Sequence, residues 1–255
     1  MYAAERQQLL AERLQADGRL SVVDLAEELS VSSETIRRDL AVLERDGLAQ
    51  RVHGGAVASR ALTILEPGLA QRTTTNADQK ERIARAAADL LPDENGSVVL
   101  DAGTTISHLV DQIPIDHPLT VITHAIPIAA KLTAIPSVNL HVLGGRVRGV
   151  TAAAVGQTMI DSLGGLHVDV CFLATNAATP EHGLSTPDAE EAAAKRALVN
   201  CARTVVVLAD SSKFSGEHVF SFASYDDIDV FITDDGVSAD DVAALEGHNV
   251  KVVVT

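Results

Sequence analysis

The first chemistry the sequence offers is anion binding. Asp101-Ala102-Gly103-Thr104-Thr105 follows the apolar run SVVL and precedes ISHLV, an order that reads as strand, turn and helix. Gly103 lets backbone come close to an anion, and Thr104 and Thr105 add hydroxyl donors. A helix starting there presents unpaired N–H groups and the positive end of its dipole. An ordinary capped strand-to-helix turn has the same pattern, so that alternative stays open. Asp101 is an acceptor, which suits sugar hydroxyls better than phosphate. Other apolar runs end in residues of similar use: Thr123-His124, Gly144-Gly145-Arg146, and Asp210 before Ser211-Ser212-Lys213-Phe214. Arg146 and Lys213 bring positive charge to those ends, though a plain surface Lys remains an alternative for Lys213. Lys195 lies four residues after Glu191 in EEAAAKRAL, so a helix-surface ion pair and a ligand role are both open.

A second constellation lies near the N-terminus. Ile36, Leu40 and Leu43 recur at helical spacing, which leaves Ser33, Thr35, Arg37 and Arg38 off the apolar stripe in the first half of that helix. Guanidinium forks so placed can pair with guanine edges or with phosphate oxygens. Solvated pairing with Asp39, Glu44 or Asp46 is the plainer alternative. Beyond Gly47, the run LAQRV, the turn His53-Gly54-Gly55 and Ala-Val predict two short strands, from which Arg51 and His53 would reach a DNA backbone.

The elements that position these groups follow from periodicity and capping. Leu10 and Leu14 mark a helix over about 4–16. Ser21 with Asp24 three residues on opens a short second helix carrying Val22, Leu25, Ala26 and Leu29, and Ser32 caps the third. Two short helices and a tight turn make a helix-turn-helix, and the glycine-tipped strands make it winged. Further on, a helix from Gln79 leads into SVVLD, and apolar runs follow at 119–123, 138–143, 168–174, 204–209, 230–233 and 250–254. Helical stretches separate most of them, notably 188–202 and 238–245. The predicted fold class is therefore α/β, with a winged helix-turn-helix followed by a mostly parallel sheet covered by helices. In such sheets ligands bind beyond the carboxyl ends of the strands, where all the loops named above fall. The expected domains are residues 1–57 and 77–255. Residues 58–76, which carry Pro67, Gly68 and a Thr run, are read as a linker.

Composition narrows the class. The 255 residues are 46% hydrophobic and 22% charged, with 3% aromatic and no Trp, as expected of globular domains with aliphatic cores. The net charge of −15 excludes a chain-wide basic coat. Residues 1–60 hold eight Arg, no Lys and ten acids, so they carry −2, and the remainder carries −13. Cys171 and Cys201 sit in apolar or Ala-rich stretches and are expected as buried thiols in a reducing cytoplasm. No signal peptide, membrane span, metal site or catalytic residue is expected.

The run VSSETIRRDLAVLERDGLAQRVHGGA resembles the N-terminal signature of the DeoR family of bacterial sugar-operon regulators. DAGTT, VIT, LGG with Arg146, EAAAKRA, LADSSKF and FITDDG extend the likeness, in order, over the sensor domain of that family, which is similar in fold to ribose-5-phosphate isomerase. The resemblance implies a repressor that binds operator DNA as a homodimer or homotetramer and senses a phosphorylated sugar without any cofactor. It places phosphate recognition on Gly103, Thr104 and Thr105, and sugar or phosphate contacts on Asp210 and Lys213. Two departures stand out: His124 replaces the Asn usual after the Thr, and Ala174-Thr175-Asn176-Ala177 replaces a loop richer in glycine. Both concern which effector fits. Two alternatives accompany this reading: a working sugar-phosphate isomerase, and a regulator whose ligand coupling has the opposite sign.

Overall fold

The computed structural model describes residues 3–17, 19–45, 48–52, 54–58 and 66–255. These form two compact units, 1–63 and 64–255.

In the first unit the order is α1 (Ala3–Asp17), β1 (Arg19–Ser21), α2 (Val22–Glu28), α3 (Ser33–Arg45), β2 (Ala49–Val52) and β3 (Gly55–Ala58). Leu10, Leu14, Leu25, Ile36, Leu40 and Leu43 close one small core. Ser21 accepts from the Asp24 N–H, and the Ser32 hydroxyl accepts from the Thr35 N–H, so each supplies a partner that the start of its helix lacks. The wing is a three-stranded antiparallel sheet in the order β1-β3-β2. Its first strand is not legible in the sequence, because three residues are too few to alternate. Gly55 pairs with Ser21 where a Cβ would fall 1.9 Å from the Leu20 carbonyl oxygen, so only glycine allows this approach.

The second unit continues with α4 (Leu69–Thr74), α5 (Ala77–Ala88), β4 (Ser97–Leu100), α6 (Thr104–Val110), β5 (Leu119–Thr123), α7 (Ile126–Leu132) and β6 (Val138–Val142). After these come β7 (Arg146–Arg148), β8 (Ala153–Val155), α8 (Gln157–Leu163), β9 (Val168–Leu173), β10 (Ala177–Thr179), β11 (Gly183–Thr186) and α9 (Ala189–Asn200). The unit ends with β12 (Ala202–Leu208), β13 (Phe220–Ala223), β14 (Val230–Thr233), α10 (Ala239–Gly247) and β15 (Lys251–Val254). Seven strands form one parallel sheet in the order β15-β14-β12-β9-β4-β5-β6. Successive strand residues point to opposite faces. Val98, Leu100, Val170 and Phe172 join a core with α5, α6 and α7, while Val99, Cys171, Leu173 and Val207 join another with α8, α9 and α10. Burial on both faces explains the unbroken apolar runs. Cys171 and Cys201 are buried free thiols. Two small antiparallel sheets, β7-β8 and β10-β11-β13, lie outside the sequence expectation, because strands of three or four residues are too short to set an alternation apart from chance.

The segment read as a linker departs from expectation at its C-terminal end. Residues 66–76 belong to the second unit, where they include α4 and hold ionic and hydrogen-bonded partners in the sheet domain. Among the described residues no helix is long and apolar enough to cross a membrane.

Candidate functional site

In the first unit, α3 presents Arg37 and Arg38 to solvent. Arg37 has only a 3.8 Å contact with Glu34, and both side chains are more than half exposed. Asp39, an acid available to pair with these arginines in the plainer alternative, is buried and turned the other way. It accepts from Arg6 Nε at 2.6 Å and from Gln7 Nε2 at 2.9 Å, which ties α1 to α3. Ser33 opens α3, and the Thr35 hydroxyl lies 2.9 Å from that of Ser32, so Thr35 also serves the helix start. Arg51 stands in β2. His53 lies outside the described residues.

In the second unit, β4 is the first strand laid down. The chain then builds outward on one side through β5 and β6, and on the other through β9, β12, β14 and β15. The loops after β4 and β9 therefore leave in different directions, the kind of switch point where parallel sheets bind ligands. Here a Cβ on Gly103 would stand 2.8 Å from the Ala174 Cβ, so the two loops touch.

Beneath this contact four of the expected site residues form one fully buried cluster. Asp101 accepts from Lys195 Nζ at 2.5 Å, His124 Nε2 at 3.0 Å, Ala174 N at 2.9 Å and its neighbour Ala102 N at 2.7 Å. The Thr123 hydroxyl donates to Leu100 O, fastening β5 to β4. Lys195 also donates to Ala174 O at 2.9 Å, so it pairs across the fold, while Glu191 pairs with Arg148. His124 Nδ1 donates to Ala154 O at 2.8 Å. Burial works to raise the Asp101 carboxyl, but Lys195 and His124 outweigh it and hold the group down at about 2.

The remaining expected residues are spread around this cluster. Gly103 and Thr104 line an open cavity of about 190 Å³ together with Ser107, Ala125, Ile128 and Thr151, while Thr105 is buried behind them. Gly144 and Gly145 turn the chain after β6, and exposed Arg146 pairs with Glu190. Asp210 is buried and accepts from Asn76 Nδ2 at 3.0 Å and from Ser212. Burial works to raise its carboxyl, yet the charges of Lys213 and Lys80, with these hydrogen bonds, bring it below the ordinary value.

Several residues in the region carry no obvious mark in the sequence. Lys80 is buried and donates to Thr75 O at 2.7 Å and to Arg72 O. Burial lowers it to about 8, Asp210 opposes the fall, and the positive charges of Lys213 and Arg72 add to it. Arg148 sits among Glu66 at 2.5 Å, Asp188 at 3.2 Å and Glu191 at 3.2 Å. The only trace of it in the sequence is the alternation Arg146-Val147-Arg148. Among the described residues no group of three His, Cys, Asp or Glu is arranged to hold a metal.

A winged helix-turn-helix joined to a parallel α/β domain, with a largely apolar cavity beside the loop after β4, is the architecture of a DNA-binding regulator with a ligand-sensing domain. Comparison with known proteins gives the family. Residues 6–61 match the DeoR-like helix-turn-helix domain, and residues 75–235 match the DeoR C terminal sensor domain. The chain belongs to the DeoR family of transcriptional regulators. It is 37% identical over 254 residues to the HTH-type transcriptional regulator GlpR of Haloferax volcanii, covering 99% of this chain and 98% of that one. It is 29% identical to the HTH-type transcriptional repressor GlcR of Bacillus subtilis, covering 100% and 97%. Among solved structures, ribose 5-phosphate isomerase A of Methanocaldococcus jannaschii aligns with 55% of each chain at a TM-score of 0.41 and 16% identity.

Proposed function

We propose that this protein represses carbohydrate-metabolism genes by binding operator DNA through α3 and the wing, and that a phosphorylated sugar bound to its second unit releases it. The observation that carries the proposal is the cavity lined by Gly103 and Thr104, on the loop that leads on from the buried Asp101, in a chain whose other unit is a helix-turn-helix. The sensor portion carries −13, so an anionic ligand needs local donors. Gly103, Thr104 and Thr105 would take the phosphate. Arg146, Asp210 and Lys213 on neighbouring loops would complete the ligand shell, with Gly144 and Gly145 giving room, while Thr123, His124 and Lys195 hold Asp101 in place.

A homodimer or homotetramer would present paired recognition helices to DNA half-sites, as a domain with so few positive charges requires. The boundaries proposed are residues 1–57 for DNA binding and 77–255, together with residues 66–76 packed against them, for sensing, in a cytoplasmic protein without catalytic activity. An isomerase would need a free general base beside its substrate, whereas the Asp101 carboxylate is already saturated with donors.

The test selects binding sites for the full chain from random duplex DNA and then measures affinity with and without a panel of sugar phosphates. Release by one member, lost in Lys213→Ala while DNA affinity persists, is the expected result. A Lys213→Ala protein that responds as before overturns the site assignment, and tighter DNA binding with ligand reverses the sign of the coupling.

A further inference from the structure

The segment between the two family matches, residues 62–74, is covered by neither, yet its described part forms a wall of the cavity. Leu69 and Thr73 of α4 line the same space as Gly103, Thr104 and Thr151. We propose that residues 66–76 are a sensing element of this regulator: they close over the carbohydrate body of the effector and carry occupancy of the cavity into the chain that leads to the DNA-binding unit. The proposal rests on the reading of Gly103 and Thr104 as the effector loop.

Three observations support it. The first is anchorage. Glu66, only 3% exposed, pairs with Arg148 at 2.5 Å and Arg72 at 3.2 Å and accepts from Asn176 Nδ2 at 3.1 Å. Arg72 also donates to Val150 O, Asn76 donates to Asp210, and Lys80 donates to the carbonyls of Arg72 and Thr75 at the end of α4. The segment is thus tied to the hairpin after β6, to the loop after β9 and to the loop after β12. A change in the hairpin after β6 or in the loop after β9 reaches Glu66 directly, through Arg148 and Asn176.

The second is an unmet hydrogen bond. The Thr151 hydroxyl is buried and has no partner among the described residues, although Thr151 is 6% exposed and lines the cavity. Arg72 Nε is buried without a partner among the described residues as well. Leaving such groups unpaired is costly, and a ligand hydroxyl at Thr151 would remove part of that cost.

The third is the character of the walls. Leu69, Ala125, Pro127 and Ile128 are apolar, interspersed with the hydroxyls of Thr73, Thr104, Ser107 and Thr151. Two nitrogen-bearing side chains also line the cavity, His108 and Lys131, and Lys131 is already held by Asp111 at 2.7 Å and Ser107 O at 3.0 Å. A surface of C–H groups dotted with hydroxyls suits a sugar ring, whereas a bare phosphate would gain nothing from Leu69 or Ile128.

The experiment is hydrogen exchange on the full chain with inorganic phosphate, ribose 5-phosphate, glucose 6-phosphate and fructose 1-phosphate. A sugar phosphate that slows exchange at 103–107 is expected to slow it at 66–76 by at least threefold, with inorganic phosphate slowing 103–107 alone. Thr151→Val is expected to weaken that sugar phosphate by roughly tenfold without lowering the melting temperature of the free protein. Glu66→Gln is expected to keep protection at 103–107 and lose it at 66–76. Protection at 103–107 with no change at 66–76 overturns the proposal and leaves the effector loop standing. Unchanged affinity in Thr151→Val overturns the Thr151 contact. If none of the four compounds slows 103–107, the effector reading itself falls and this inference falls with it.

Discussion

Lys195 and Asp101 stand 94 residues apart in the chain and meet at 2.5 Å, with neither side chain more than 4% exposed. The pair joins α9 to the end of β4, across the switch point and beneath the candidate effector loop. A buried ion pair of this kind is weak evidence for net stability, but losing one partner strands the other. Lys195→Met should therefore destabilise the second unit by about 3–5 kcal/mol in urea unfolding. Asp101→Asn in the same chain should recover a large part of that loss, and equal stability of single and double variants would show that the pair does not act as a unit.

The same carboxylate sets an acid limb. Asp101 titrates at about 2 in the folded protein against an ordinary 3.8, so on acidification the unfolded chain takes up this proton first. Its stabilisation is complete above about pH 5 and disappears as the pH falls through 4 towards 2, a change of about 2–3 kcal/mol. The difference in unfolding free energy between the parent chain and Asp101→Asn, measured from pH 6 to pH 2.5, should shrink over that window. A difference that stays constant would place the Asp101 carboxyl at its ordinary value.

Much of this was legible in the sequence. The helical spacing of Ile36, Leu40 and Leu43, with Ser21 and Ser32 as caps, was enough for the helix-turn-helix, and the apolar runs marked the parallel strands. Lys195 was ambiguous, because Glu191 one turn earlier offers a surface pair and periodicity does not tell which partner lies across the fold. Residues 66–76 read as a connector because what holds them is remote in sequence: Glu66 meets Arg148 82 residues on, and Asn76 meets Asp210 134 residues on. No local pattern records such contacts.

Lys80 gives the proposed effector site an expected dependence on alkaline pH. Burial brings it to about 8 from an ordinary 10.5, so the folded protein gives up this proton before the unfolded chain does. As a contribution to stability, its charge is a cost at neutral pH that is relieved as the pH rises from 8 towards 10.5. For an anionic ligand near Lys213 and Lys80 the effect is opposite, since affinity should fall between pH 7 and pH 9 as the positive charge is lost. A phosphate monoester has its second pKa near 6 and is about nine-tenths dianion at pH 7, so the ligand's own small trend over this range is towards tighter binding, opposite to the one expected from Lys80. Calorimetric titration of the responding sugar phosphate at pH 7, 8 and 9 should show the decline, and Lys80→Met should remove it.

On α3, exposed Arg37 and Arg38 are expected to serve recognition and buried Asp39 to serve stability. Arg37 and Arg38 are exposed, and the 3.8 Å contact of Arg37 with Glu34 is a surface pair worth at most about 1 kcal/mol. Asp39, beside them in sequence, is buried on Arg6 and Gln7. Arg38→Ala should leave unfolding within about 0.5 kcal/mol of the parent. If Arg38 meets a phosphate, the substitution should weaken binding to all DNA sequences and lower the salt slope by about 0.9. If it meets a guanine edge, it should cost about 1–3 kcal/mol at one base position only. Asp39→Ala should do the reverse, lowering stability by about 3–5 kcal/mol through the stranded Arg6. Anisotropy titrations of selected DNA at several salt concentrations, alongside urea unfolding, distinguish these outcomes, and full DNA affinity in the Arg37→Ala, Arg38→Ala double variant would exclude α3 as the recognition helix.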